Sequence, residues 1–101
     1  MEFKHNWELE TEEKLSIIFE GGHKKLHDLI VDTAIENLKN TILDIPVVSI
    51  HTKDTDTLYD IIINREDIIE TLEQNLISME KFEDYERCQK IVNALNYLNQ
   101  K

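Results

Sequence analysis

The stretch "VVSIHTKDTDTLYDIII", residues 47–63, decides which fold this chain of 101 residues adopts. Residues 47–51 are rich in β-branched side chains, and residues 57–63 repeat that character beyond the polar loop "TKDTD". Two such runs joined by a short polar loop are typical of an antiparallel β-hairpin. The sequence therefore predicts a two-stranded hairpin in the middle of the chain.

A helix beginning near Thr57 is the alternative for the second run. Leu58, Ile61 and Ile62 would fit one face of such a helix. Asn64 favours the strand, because in "NRED" it lies three residues before Asp67 and can cap a new helix that begins there.

Apolar residues at helical spacing predict helices on both sides of this hairpin. Thr11 is an expected N-cap, and Gly21-Gly22 is an expected stop for the first helix. Pro46 must lie beyond the end of the second helix. Residues 1–8 are expected to be loosely ordered, with Phe3 and Trp7 pinning them to the core. The predicted helices are about 12–20, 23–43, 65–79 and Tyr85 onward.

We therefore expect a mainly α fold with a minor β element. Its four helices end in an antiparallel helical hairpin over residues 65–99, and the short β-hairpin lies near residues 47–63. A chain of this length fits one domain, residues 1–101, with one hydrophobic core.

Composition excludes several classes of function. The net charge of −10 disfavours direct binding to nucleic acid or to an anionic membrane. The single cysteine allows no internal disulfide, and no apolar run is long enough to span a bilayer. The N-terminus shows no signal-peptide pattern, so we expect a cytoplasmic protein.

The negative charge is unevenly distributed. Residues 52–86 contain eleven acidic and three basic residues, whereas residues 87–101 contain three basic residues and no acidic ones. Four acidic residues at the start of the third predicted helix should form one exposed surface: Glu66, Asp67, Glu70 and Glu73. A solvated face that maintains solubility is the ordinary interpretation. The alternative is a surface that binds a basic partner or imitates DNA phosphates.

No motif for catalysis or cofactor binding is present. His23 and His27 are spaced to share a metal ion, but a tetrahedral site needs two further ligands that the sequence does not supply nearby. His51 has no recognisable nucleophile beside it, and no glycine-rich phosphate loop occurs. Cys88 lies among apolar residues and is better explained as a small buried side chain than as a reactive thiol. We expect neither an enzyme nor a bound cofactor or metal.

The run "DYERCQKIVNAL", residues 84–95, resembles the UVR motif, a short helical hairpin of the excision-repair proteins UvrB and UvrC. The resemblance covers about residues 68–98. Gln89, Val92 and Asn93 depart from it, because the family has a second small residue and an Arg-Asp pair at these places. The matching residues are Leu72 and Leu76 in the first helix, Tyr85, Glu86 and Arg87 in the turn, and Cys88, Ile91 and Leu95 in the second helix. The resemblance implies a protein-binding hairpin that often pairs with a similar hairpin in a partner or a second copy.

The function that these patterns favour is binding of another protein, as an adaptor, regulator or inhibitor. The expected contact residues are Phe82, Tyr85, Glu86 and Tyr97, because aromatic side chains dominate protein interfaces. Self-association into a homo-oligomer is a further expectation for a hairpin of this size. The alternative function is an acidic decoy, of the kind that phages encode, which inhibits a nucleic-acid-binding protein.

Overall fold

A three-stranded sheet and four helices make up the protein, seen in a computed structural model that describes residues 2–20 and 23–100. Leu15, Val31, Ile50, Leu72 and Ile91 belong to one buried cluster, which joins the helices to the sheet. The elements in chain order are β1 (Asn6–Leu9), α1 (Glu12–Phe19), α2 (Lys24–Glu36), β2 (Asp44–Thr52), β3 (Thr57–Asn64), a 3-10 turn (Arg65–Asp67), α3 (Ile68–Lys81) and α4 (Tyr85–Asn99).

The central strand of the sheet is β2. It pairs antiparallel with β3, from Asp44 opposite Asn64 to Thr52 opposite Thr57, so the predicted hairpin is confirmed and begins three residues before Val47. On its other side β2 pairs parallel with β1, from Asn6 opposite Ser49 to Leu9 opposite Thr52.

The predicted fold class is wrong. The protein is an α+β fold with a three-stranded mixed sheet, not a mainly α protein with a minor β-hairpin. The difference arises near the N-terminus: residues 1–8 were expected to be loosely ordered, but three of the four residues of β1 lie among them. The Ser49 N–H donates to the His5 carbonyl at 3.0 Å, and the Lys53 N–H donates to the Leu9 carbonyl at 2.9 Å. A four-residue strand whose partner lies far along the chain leaves no local signal.

Pro46 lies inside β2, although proline cannot donate a hydrogen bond to a neighbouring strand. The structure accommodates it in two ways. Among the described strands, only β3 pairs with residues 44–48 of β2, because β1 pairs no earlier than Ser49. The pairing also shifts register between Pro46 and Val48, as at a β-bulge.

The second helix is shorter than predicted, because α2 ends at Glu36 and not near residue 43. Asn37 caps it and donates from its side-chain amide to the Thr33 carbonyl at 2.8 Å. The Arg65 guanidinium then donates to the carbonyls of Asn37 at 2.7 Å and Ile42 at 2.9 Å. These polar partners satisfy backbone groups that a longer helix would otherwise have bonded.

The helices cover one face of the sheet. On β3 the side chains of Tyr59, Ile61 and Ile63 belong to or border the core, whereas Leu58 and Ile62, which alternate with them, are exposed. Two predicted caps are confirmed: the Thr11 side chain accepts from the Lys14 N–H, and that of Asn64 accepts from the Glu66 N–H. The predicted stop at Gly21-Gly22 lies outside the described residues. None of the described helices combines the length and the apolar character needed to cross a membrane.

Candidate functional site

The two C-terminal helices form the predicted helical hairpin. Its seam is built from residues that repeat at intervals of three and four on each helix, which place apolar side chains on one face. Leu72 and Met79 of α3 and Ile91 of α4 are fully buried, and Leu76 and Cys88 are partly buried against them. Burial also raises the pKa of the Cys88 thiol, with a further contribution from Glu80 and Asp84.

The corner between α3 and α4 has a defined backbone. Glu83 takes a left-handed conformation with φ 59°, which a side chain with a Cβ enters only at some cost in free energy. The Asp84 N–H donates to the Met79 carbonyl at 2.9 Å, which closes the end of α3. The Asp84 carboxylate accepts from the Arg87 N–H at 3.1 Å, which caps the start of α4.

A group of charged side chains fastens this corner to α2. The Arg87 guanidinium donates from Nε to Asp32 Oδ1 at 3.1 Å, from Nη2 to Asp32 Oδ2 at 2.8 Å and from Nη1 to Asp84 Oδ2 at 2.9 Å. Lys24 Nζ lies 2.9 Å from Asp84 Oδ2 and 3.0 Å from both carboxylate oxygens of Asp28. We call these five residues, Lys24, Asp28, Asp32, Asp84 and Arg87, the charged joint.

Contacts within the charged joint shift the pKa values of Asp84 and Arg87. Hydrogen bonds from Lys24 and then from Arg87 hold the pKa of the Asp84 carboxyl far below its ordinary value of 3.8. Asp32 and then Asp84 raise the pKa of the Arg87 guanidinium, although its burial opposes them. Asp84 and Arg87 are therefore both ionised throughout the neutral range, and the charge-assisted hydrogen bonds of the charged joint connect the hairpin to α2.

The four expected contact residues do not form one patch. Tyr85 is 67% exposed at the first turn of α4, and Glu86 beside it is also exposed and lies 3.5 Å from Lys90. Phe82 instead packs against the core, with its ring centroid 5.8 Å from that of His27. Tyr97 is partly buried near the other end of α4, where Lys39 Nζ lies 5.9 Å from its ring centroid.

The four predicted acidic residues lie together and are exposed. Glu66 and Asp67 lie in the 3-10 turn, and Glu70 and Glu73 follow on the first two turns of α3. We call these four residues the acidic ridge. Within the part of the chain that the structure describes, none of the four forms an ion pair. Glu70 accepts a hydrogen bond from Gln74 at 3.3 Å.

His23 and His27 point to different partners. His23 Nδ1 accepts from the Leu26 N–H at 3.3 Å and so caps α2. His27 Nδ1 lies 2.8 Å from Oδ1 of the buried Asn75 on α3. Their spacing is thus explained by capping and by packing between α2 and α3.

His51, another candidate catalytic residue, contacts two carboxylates. His51 Nε2 lies 2.8 Å from Asp56 Oδ1, and His51 Nδ1 lies 3.8 Å from Glu8 Oε1, on the sheet face away from the helices. Over residues 2–20 and 23–100, no three histidine, cysteine or acidic side chains are grouped closely enough to hold a metal ion.

Sequence reasoning missed the charged joint. It assigned Arg87 to the turn of the hairpin and did not connect it with α2. One signal was available, because Asp28 and Asp32 lie four residues apart and therefore share one face of α2. Nothing local showed that this face meets the start of α4.

Comparison with known proteins adds no family assignment. No family model, no curated protein and no solved structure matches this chain. The resemblance of residues 68–98 to the UVR motif therefore stays a prediction.

Proposed function

We propose that this protein binds another protein, as an adaptor, regulator or inhibitor, through the corner between α3 and α4. The observation that supports this proposal is Tyr85, whose side chain is 67% exposed at the start of α4. Among the described residues, no hydrogen bond or ring contact to its side chain is found. A tyrosine presented in this way offers a large apolar ring and a hydroxyl to a partner.

The charged joint makes this corner suitable for binding. It connects Asp84 and Arg87, which flank Tyr85 and Glu86 in the chain, to α2 through three hydrogen bonds, one from Lys24 to Asp84 and two from Arg87 to Asp32. A side chain on a fixed backbone loses less conformational entropy when a partner binds. Tyr85 is the proposed anchor, and Glu86 is a polar contact at its rim.

Phe82 and Tyr97, the other two aromatic residues expected to contact a partner, do not lie beside Tyr85 on the exposed surface of the corner. Phe82 supports the corner from the core side, through its contact with His27. Tyr97 lies twelve residues after Tyr85 on the same helix, so about 18 Å separates them along the helix axis. Only a partner that follows α4 over most of its length would contact both tyrosines.

The experiment is affinity capture from the native host with the wild-type chain and with Tyr85→Ala. We expect the captured partner to bind the variant at least about tenfold more weakly, as for a truncated aromatic anchor. Ile17→Ala is the matched control, because Ile17 is 61% exposed but lies on α1. Equal binding of the partner to the wild-type chain and to Tyr85→Ala would contradict the proposal.

The UVR resemblance suggests a hairpin as the partner, either in another protein or in a second copy of this chain. Sedimentation velocity at increasing protein concentration separates these two cases. If the partner is a second copy, the wild-type chain forms dimers and Tyr85→Ala forms fewer of them.

A second candidate function is an acidic decoy that occupies the nucleic-acid site of another protein. The exposed carboxylates of the acidic ridge favour it, because neighbours three or four residues apart on a helix lie about 5–6 Å apart. Binding should then weaken steeply with salt, and replacing Glu66, Glu70 and Glu73 by glutamine should abolish it while Tyr85→Ala leaves it unchanged. Binding that is indifferent to salt would exclude this candidate.

A further inference from the structure

The outer edge of β3 is an eight-residue strand edge that no other described strand covers. The sheet ends at β3, which pairs with β2 on one side only. Every second residue of an edge strand directs its N–H and C=O away from the sheet, so this edge offers unpaired donors and acceptors in a row. Such a row fits one kind of occupant, another extended chain.

Several of the devices that usually protect a strand edge are missing from β3. Proteins commonly shield edges with lysine, with proline, with a bulge in the edge strand or by making the edge strand short. The strand "TLYDIIIN", residues 57–64, contains no lysine and no proline, and the bulged residue of the hairpin lies on β2. Within β3 the only charged residue is Asp60.

Three side chains of β3 lie in a row on the sheet face away from the helices: Leu58, Asp60 and Ile62. Leu58 is 67% exposed, and Asp60 and Ile62 are exposed as well. The Ser49 hydroxyl donates to Asp60 Oδ1 at 2.8 Å, which fixes the position of the carboxylate. A strand added beside β3 would place its own side chains directly opposite these three, in the same alternation.

Charge decides which extended chain fits. Residues 54–64 contain three acidic residues and no basic residue. The basic residues on either side are engaged elsewhere, since Lys53 lies 3.4 Å from Glu10 and Arg65 donates to the carbonyls of Asn37 and Ile42. A second copy would bring another acidic strand and another net charge of −10 to this edge, whereas a basic segment complements it.

We propose that the β3 edge binds an extended, basic segment of a partner protein by strand addition. The segment has an apolar residue, a lysine or arginine two positions later, and an apolar residue two positions after that. These residues lie opposite Leu58, Asp60 and Ile62, and the pattern reads the same in either strand direction. This surface is separate from the helical corner and goes beyond the function proposed for it.

A synthetic peptide tests the proposal directly. The probe is a capped peptide with the core valine, threonine, lysine, threonine, valine and one threonine at each end. Titration into the isotopically labelled full chain is followed by the NMR shifts of the backbone amides. We expect binding with a Kd below about 1 mM, and the largest shifts at residues 57–64.

Two peptide controls test the strand geometry and the charge. In one peptide the valines and the lysine are N-methylated, which blocks the amides of one peptide edge. In the other the threonines are N-methylated, which blocks the opposite edge. Because only one edge pairs with β3, one modified peptide should lose at least about tenfold in affinity while the other retains binding. Replacing the lysine by glutamate should also weaken binding.

A charge exchange on the protein completes the test. Asp60→Asn should weaken binding of the lysine peptide about threefold, as for loss of one cross-strand ion pair. Glu73→Gln, the matched change on the acidic ridge, should leave this binding unchanged. The Asp60→Lys variant should bind the glutamate peptide more tightly than the lysine peptide.

The proposal is overturned if shifts map to α3 and not to β3, if both methylated peptides bind equally, or if the free chain is already a dimer through β3. Tyr85→Ala should leave peptide binding unchanged, so this test is independent of the function proposed for the corner between α3 and α4.

Discussion

Asp84 stabilises the corner between α3 and α4 with both its backbone and its side chain. Its N–H closes α3, one carboxylate oxygen caps α4, and the other accepts from Lys24 and Arg87. The Asp84 side chain is 13% exposed, so these ion pairs are less screened by solvent than pairs on an open surface. The identity of this one residue therefore controls the connection of two helices to each other and to α2.

Arg87 should be more sensitive to substitution than an exposed arginine. Arg87→Met removes three hydrogen bonds to Asp32 and Asp84 and should lower the free energy of unfolding by about 1–3 kcal/mol. Arg87→Lys should recover only part of this loss, because an ammonium group cannot form the paired contact with Asp32. Urea unfolding measures all three proteins. Lys90→Met, on the exposed face of the same helix, is the control, and an equal loss in both methionine variants would contradict the prediction.

The pH dependence of stability should carry a contribution from Asp84. Its pKa is lower in the folded chain than its ordinary value of 3.8, so its contribution is complete above that value and is lost as the pH falls towards the folded-state pKa. Asp84→Asn retains a side chain that can cap α4 but has no charge to titrate. We expect the wild-type advantage over Asp84→Asn to be largest at neutral pH and to shrink as the pH falls from about 5 to about 2. Urea unfolding across this range measures it, and an advantage that does not change with pH would contradict the expectation.

At the scale of elements, α3 shows how one helix provides both packing and an open surface. Leu72 and Met79 are fully buried in the core, whereas Glu70, Glu73 and Ile77 lie on the exposed side. The same three-and-four spacing generates both faces. The hairpin is therefore stabilised by one face of α3, and substitutions on the other face should have little effect on stability.

Matched substitutions on the two faces of α3 should differ strongly. Leu72→Ala should lower the free energy of unfolding by about 2–5 kcal/mol, because the side chain is fully buried and its removal leaves a cavity. Ile77→Ala should change it by less than about 0.5 kcal/mol, because Ile77 is 58% exposed. Thermal and urea unfolding provide the comparison. Similar losses at the two positions would mean that the exposed face of α3 is covered in solution.

At the scale of the whole molecule, negative charge dominates the surface. The net charge of −10 opposes compaction, and it includes the four carboxylates of the acidic ridge, which form no ion pair with other described residues. Three positive charges near the C-terminal hairpin are instead paired: Lys24 and Arg87 lie in the charged joint, and Lys90 contacts Glu86. The four carboxylates of the acidic ridge lie together at the start of α3.

Salt should therefore stabilise the folded chain. Between about 20 mM and 0.5 M sodium chloride the urea midpoint should rise, because the ions screen repulsion among the carboxylates. The triple variant Glu66→Gln, Glu70→Gln and Glu73→Gln should start from a higher midpoint at low salt and respond less. A midpoint that falls with salt would mean that the ion pairs of the charged joint outweigh this repulsion.

Local sequence determined the elements whose signals lie within a few residues. Thr11 caps α1, Asn64 caps the turn before α3, and the spacing of Leu72, Met79 and Ile91 defines the helical hairpin. The β2–β3 hairpin was also readable, because its two strands are adjacent and β-branched. The exposure of the acidic ridge follows the same rule, since its residues are charged and lie away from the face of α3 that buries Leu72 and Met79.

Only the tertiary structure decided the fold class and the role of Arg87. The strand β1 exists because β2 supplies hydrogen-bonding partners to a short segment that has no strong preference of its own. The charged joint exists because folding brings Asp32 of α2 within 2.8 Å of Arg87, although 55 residues separate them in the chain. Both features depend on contacts between distant segments. Local patterns of hydrophobicity and capping do not indicate which distant segments will be in contact.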